Sequence, residues 1–306
     1  MTGLETFLST NRPYLGDGGM ETDLIFNYGV DLPHFSSFVL LSSDGGREAL
    51  RRYFEDYFEI AKASNRGFLV STTTWRANAG WADRHVLTLE QLKEVNRLAV
   101  DFAKQLRSEQ QAEGWALIDG AVGPAGDGYA PHQLYLPEEA EALHTPQMEA
   151  FAEAGVDMAI AYTMTHPGEA IGVVPAARAA QVPVGISFTV ETDGRLPIRM
   201  EIWEAIDEVE SSTSGAPLFY GINCAHPTHF MDKLDGAWTS RVGLVRANAS
   251  CKSHAELDES TELDAGDPEE FGHQYAELFE RLPNLRVVGG CCGSDHTHIR
   301  EIVANI

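Results

Sequence analysis

The sequence predicts a single (β/α)8 barrel covering residues 1–306. Short apolar runs alternate with longer helical patterns eight times, and eight such units in 306 residues match the usual length of that fold. The apolar runs are nearly continuous rather than alternating, as expected of strands buried on both faces. A doubly wound open sheet is the structural alternative.

The units can be read in order. The first run, around Tyr14–Leu15, ends in DGGMET, and a helix follows over roughly 46–64, with Leu50, Phe54, Tyr57, Phe58 and Ile60 on one face. FLVSTTT is the second strand, followed by the helix LEQLKEVNRLAVDFAKQL. WALIDGAV is the third, followed by a helix with Pro137 in its first turn and Gly155 just past its end. DMAIAYT, VPVGISFTV, PLFYGINC, RVGLVRAN and LRVVGGCCG supply strands four to eight. Their helices are expected near 168–180, 202–209, 228–234, 268–281 and in DHTHIREIVANI. The longest stretch without periodicity, 249–266, follows strand seven and so falls on the face where barrels build active sites. Residues 256–270 carry eight acids and no base, which reads as a solvated loop or as a negative rim on a site.

With 46 acidic and 22 basic residues, the formal charge is −24. That argues against nucleic acid, whose phosphates need clustered Lys and Arg, and favours cationic small ligands or general solubility. No apolar run is long enough to span a membrane. The first residues lack the basic-then-apolar pattern of a secretory signal. Four cysteines are too few for a disulfide framework, so a reducing cytoplasm with free thiols is expected. Oligomeric state is not readable.

Function in a barrel concentrates at the C-terminal strand ends. Asp17 and Glu21 fall there after strand one, Thr73 and Trp75 after strand two, and Tyr162 at the end of strand four. Asn223 and Cys224 end strand six, Asn248 strand seven, and Cys291 and Cys292 strand eight. The vicinal pair in GGCCG is hard to close on itself as a disulfide, and its glycines free the backbone to turn both sulfurs to one point. With Cys224 they make three candidate zinc ligands and leave a fourth position open, a catalytic rather than a structural arrangement. His226 as a fourth ligand would close the site. Cys251 reads as an isolated small hydrophobe. Asn223 and Asn248 are expected to order loops or hydrogen-bond near the metal, and Asp17 to orient a substrate or form the turn before Gly18-Gly19.

DGGMET, GINCAHP, RANAS and GGCCGSDHTHIREI together resemble the motifs of the homocysteine S-methyltransferase family over nearly the whole chain. The resemblance implies Zn2+ on Cys224, Cys291 and Cys292, and methyl transfer to homocysteine. Tyr162 stands where the family has a glutamate that grips the amino group of homocysteine. A neutral phenol makes no ion pair with an ammonium. LPIRMEIWEA also lacks the glycine usual after DGRLP.

The chemistry follows from pKa. A free thiol is only a few per cent thiolate at neutral pH, whereas a coordinated one is deprotonated. The donor then needs an electrophilic methyl, as in S-methylmethionine or S-adenosylmethionine, and aromatic faces such as Trp75, Trp81, Tyr162 and Phe188 could hold its cation. A different thiol acceptor, a betaine-type donor, and a non-catalytic zinc- or redox-sensing barrel are the alternatives.

Overall fold

The computed structural model describes residues 3–306. Eight parallel strands close into a barrel in sequence order: β1 (Tyr14–Leu15), β2 (Phe68–Ser71), β3 (Ala116–Val122), β4 (Met158–Met164), β5 (Val184–Phe188), β6 (Tyr220–Asn223), β7 (Val242–Ala247) and β8 (Val287–Gly290). The open doubly wound sheet is thereby excluded, because β1 pairs with β8 through Tyr14 opposite Val287 and Leu15 opposite Val288. Every strand residue is buried, as the unbroken apolar runs require.

Helices follow where the periodicity puts them. The first long one spans Asp44–Ala63, capped by Ser43 Oγ accepting from the Gly46 amide. Leu89–Glu109 starts with a reciprocal Thr88/Gln91 capping box. Pro137–Ala154 ends at Gly155 in the left-handed conformation that a residue lacking Cβ adopts without cost. Pro167–Ala179, Ile202–Thr213, Pro268–Arg281 and His296–Asn305 complete the outer ring. After β6, only a short turn of helix forms at Pro227–Phe230, continued by a 3-10 turn at Met231–Lys233, where a longer helix was expected. The segment 249–266 is not structureless. A short helix, His254–Asp258, is nucleated in it by a Ser253/Glu256 capping box.

The core has two main parts and a smaller cluster of Phe38, Ala77 and Leu92. Large side chains such as Tyr53, Phe54, Tyr57 and Phe58 fill the layer between the strands and the helices. Phe7, Tyr14, Leu69, Leu117, Ile160, Leu244 and Val287 form a second cluster. No helix among the described residues is long and apolar enough to cross a membrane.

Candidate active site at the C-terminal mouth of the barrel

Strands β6 and β8 bring the three predicted cysteines together. The sulfurs of Cys224, Cys291 and Cys292 lie within 4.8 Å of one another, and among the described residues they are the one metal-capable group of three or more His, Cys, Asp or Glu. The backbone is arranged for this convergence. Cys224 has φ of 53°, and its amide and carbonyl are tied down by the Arg246 carbonyl at 3.0 Å and by Asn248 Nδ2 at 3.2 Å. The Cys291 amide donates to the Ala247 carbonyl at 2.7 Å. Gly19 faces the carbonyl of Cys291 so closely that a Cβ there would collide with it, so the turn after β1 and the cysteine loop pack backbone to backbone.

One feature departs from the expectation of free thiols. Cys224 and Cys291 are joined as a disulfide, leaving Cys292 and the exposed Cys251 free. Their α-carbons are 5.4 Å apart, within the span that a disulfide bridges, whereas the neighbouring Cys292 keeps its thiol. Reduction gives three cysteine thiols, which a bound cation would hold as thiolates. Three sulfurs in tetrahedral array around zinc, at Zn–S of about 2.3 Å, sit about 3.8 Å apart, so this group fits the ion with little adjustment. His226 does not belong to it. Its Nδ1 is engaged with Thr228 Oγ1 at 2.8 Å, capping the Pro227–Phe230 turn.

An inner cavity of about 80 Å³ lies beside the sulfurs, lined by Asp17, Glu21, Trp75, Tyr162, Asn223 and the three cysteines among others. Of the predicted contacts, Thr73 is not among the lining residues. It is buried with its hydroxyl unpartnered, and its neighbour Thr72 lines the cavity instead. Thr73 lies at a bend just past the end of β2. Asn223 lines the cavity, but its amide is spent on Thr163 and Ser187. Asn248 borders an outer cavity of about 390 Å³. Phe188 is fully buried in the core, and Trp81 lines neither of these two cavities, so neither offers a face to a substrate there.

The charges of the inner cavity form a network that the sequence did not reveal. Arg246, projecting from β7, is the hub. Its Nη2 pairs with Asp17 Oδ1 and donates to the Gly18 carbonyl, Nη1 reaches Ser71 Oγ at 3.0 Å, and Nε reaches the Gly290 carbonyl at 3.0 Å. Tyr53 donates to the other Asp17 oxygen at 2.9 Å, so Asp17 is held as a buried partner of arginine rather than as a simple turn residue. Tyr162 donates to Asp119 Oδ2 at 3.2 Å and Ser71 to Oδ1 at 2.8 Å. Burial, against these hydrogen bonds and Arg246, pushes the Asp119 carboxyl up to about 7. Glu21 accepts from Ser37 Oγ at 2.7 Å, and burial raises its pKa, with Asp17 adding to the effect.

Tyr129, on the loop after β3, was also missed. Its hydroxyl donates to Cys224 Sγ at 3.3 Å and is hydrogen-bonded to Cys292 as well. Burial first, and Cys292 second, raise its pKa well above the usual value, so its proton stays in place as a donor to sulfur. Burial likewise pushes the Cys292 thiol up to about 11, with Glu21 contributing. A cation among the sulfurs would reverse that.

The fold and this mouth define a (β/α)8 barrel with a cysteine-rich centre at the strand ends, the place where such barrels carry catalysis. The chain belongs to the homocysteine S-methyltransferase family, whose model matches residues 14–306. It is 27% identical over 236 residues to betaine–homocysteine S-methyltransferase 1 from Bos taurus, covering 70% of this chain and 54% of that one. The chain thus spans about half the length of that relative. Homocysteine S-methyltransferase from Escherichia coli is 26% identical, with 98% of this chain and 97% of the relative covered. Homocysteine S-methyltransferase YbgG from Bacillus subtilis is 24% identical, with 99% and 98% covered. Among solved structures, the oxidized form of the homocysteine methyltransferase MmuM from Escherichia coli superposes with a TM-score of 0.76 at 23% identity over the whole of both chains. Its metallated form gives 0.75 at 21% identity. These superpositions support the barrel fold.

Proposed function

We propose that this chain, acting as one catalytic unit over residues 1–306, is a zinc-dependent S-methyltransferase that moves a methyl group from a cationic donor to homocysteine, giving methionine. The observation that carries the reading is the convergence of Cys224, Cys291 and Cys292 where the inner and outer cavities meet: Cys292, Tyr129, Thr22 and Phe35 line both. Zn2+ held by the three thiolates would supply the Lewis acidity that keeps a substrate thiol deprotonated at neutral pH.

The protein's own groups do the rest. The inner cavity is small and takes the thiol acceptor. Glu21 supplies the anion for its ammonium, the role that Tyr162 cannot fill, and Asp17 is held by Arg246 and Tyr53 as the floor of that cavity. Trp75 and Tyr162 bound its apolar part. The Tyr129 hydroxyl, by donating to the cysteine sulfurs, steadies their geometry as outer-shell hydrogen bonds do. The donor enters from the outer cavity. The acceptor thiol loses its proton to solvent, its sulfur forms the new S–CH3 bond, and the donor's S–CH3 bond breaks with its electron pair. An anionic nucleophile and a cationic donor thus become two neutral thioethers.

S-Methylmethionine and S-adenosylmethionine are the donors this reading favours. The relatives named for betaine and the exchange at Tyr162 support a second reading, with the same sulfur chemistry but a betaine donor or another thiol acceptor. The test is metal analysis followed by methyl transfer assays over a panel of thiols and donors. One zinc per chain, lost together with turnover in Cys292→Ser, is expected. Full activity after complete zinc removal would sink the proposal, and a thiol other than homocysteine giving the highest rate would favour the second reading.

A further inference from the structure

The outer cavity contains a cation that the protein leaves unmatched. Arg76 follows Trp75 in the loop after β2 and is only 8% exposed. Its guanidinium carbon lies 4.2 Å from the Trp75 ring centroid and 3.6 Å from that of Trp81, so the plane is held by aromatic faces. Among the described residues, its one hydrogen bond runs from Nη1 to the Gly126 carbonyl at 3.4 Å, and Nε is buried with no acceptor. Asp127 and Glu21 act on it through space, but among the described residues neither forms an ion pair with it. The contrast with Arg246 is plain. That arginine is equally buried, yet it has Asp17, three backbone carbonyls and a serine around it. A desolvated guanidinium without an anion is costly, and the planar fork suits a carboxylate.

The rest of the cavity points the same way. Cys292 lines it, so a ligand at Arg76 lies in the same chamber as one of the three cysteine sulfurs. Asp258 and Glu262, from the acidic segment after β7, line it as well. Asn248 is 3% exposed, and its Oδ1 is buried without a partner at the same wall. One cavity therefore combines an unpaired cation with acidic and acceptor groups.

We propose that Arg76 anchors a carboxylate of the methyl donor, so that the outer cavity selects zwitterionic donors, with a carboxylate at one end and a sulfonium or quaternary ammonium at the other. The assignment rests on the methyltransferase reading and deepens it. Arg76 is a specificity residue that touches the donor remote from the transferred methyl. The acidic segment gives the onium end of the donor a complementary wall.

The experiment is calorimetric titration of the purified metal-loaded protein with S-methylmethionine and glycine betaine, each paired with its methyl ester. The wild type is expected to bind at least one acid about tenfold or more tightly than its ester. Arg76→Gln is expected to bring acid and ester within about twofold while leaving ester binding unchanged, and Arg76→Lys to restore part of the preference. An acid-to-ester ratio that is the same in wild type and Arg76→Gln overturns the assignment, as does failure of both acids to bind the wild type. Methyl transfer to homocysteine, assayed on the same preparations, separates the two levels. Turnover with a ratio unmoved by Arg76→Gln keeps the enzyme and loses the anchor. An Arg76-dependent ratio without turnover keeps the anchor and loses the methyltransferase reading.

Discussion

Asn223 holds Thr163 in a left-handed backbone conformation. Thr163 has φ of 61°, rare for a β-branched residue, and Asn223 Oδ1 accepts from its amide at 2.9 Å while Nδ2 donates to its hydroxyl at 2.8 Å. Strained backbone of this kind persists only where its surroundings over-determine it. Here it lets β4 end beside the residue that precedes Cys224. Asn223→Ala is expected to cost about 2–4 kcal/mol in urea unfolding, combining three lost buried hydrogen bonds, two to Thr163 and one from Ser187, with unrelieved strain. Thr163→Gly in that background should recover about 1 kcal/mol. A double variant no more stable than Asn223→Ala would show that the strain is not held by this pair.

Asp119 gives the stability a pH signature. Its carboxyl is raised in the folded protein to about 7, mainly by burial. Below about 4, both folded and unfolded states carry the proton. Between about 4 and 7 the folded state keeps a proton that the unfolded chain releases, so this contribution is lost as pH rises, with a slope of at most about 1.4 kcal/mol per unit. Asp119→Asn removes the titration. Its stability relative to wild type should therefore improve from pH 5 to pH 8, measured as the shift in urea midpoint. A constant difference across that range would refute the assignment.

Gly19 tests the packing of the turn after β1 against the cysteine loop. Ala at this position must displace the Cys291 carbonyl. Gly19→Ala is expected to fold, as judged by circular dichroism, but to hold zinc at least about tenfold more weakly in a chelator competition, the scale seen when support of metal ligands is disturbed. Unaltered zinc affinity would contradict the proposed dependence.

Glu21 carries the ammonium assignment. Glu21→Gln keeps a partner for Ser37 but removes the charge. The KM for homocysteine should rise about tenfold or more, with less change for a thiol lacking an amino group. Equal effects on both thiols would move the role elsewhere, with Asp119 behind the Tyr162 hydroxyl as the next carboxylate to test.

Much of this was visible in the sequence, and the reason differs from element to element. Strands β3 to β8 announced themselves because burial on both faces leaves no polar alternation. Cys224 and the Cys291-Cys292 pair were found because reactive residues at strand ends converge by topology alone. Arg246 and Arg76 were not. In RVGLVRAN and TTTWRAN each reads as an ordinary charge leaving a strand, and only the closed barrel shows both turned inward. Tyr129 was invisible because it reaches the sulfurs from a loop without periodicity. The acidic segment 256–270 was left between a solvated loop and a rim, and in the structure Asp258, Glu262 and Asp264 line the outer cavity.

The ion pair between Arg246 and Asp17 spans 229 positions of chain. It sits on the seam where β1 meets β8, and the same guanidinium holds the carbonyl of Gly290, directly before Cys291. Closing so long a loop carries a large entropic cost that local contacts cannot repay early. The sulfur centre therefore depends on both ends of the chain meeting at this seam. On the ribosome, Cys224 must wait for Cys291 and Cys292 to emerge before a three-sulfur metal centre can exist. A metal held by these three sulfurs would thus report on completion of the barrel rather than on its beginning, and a chain stalled short of β8 would lack two of the three ligands.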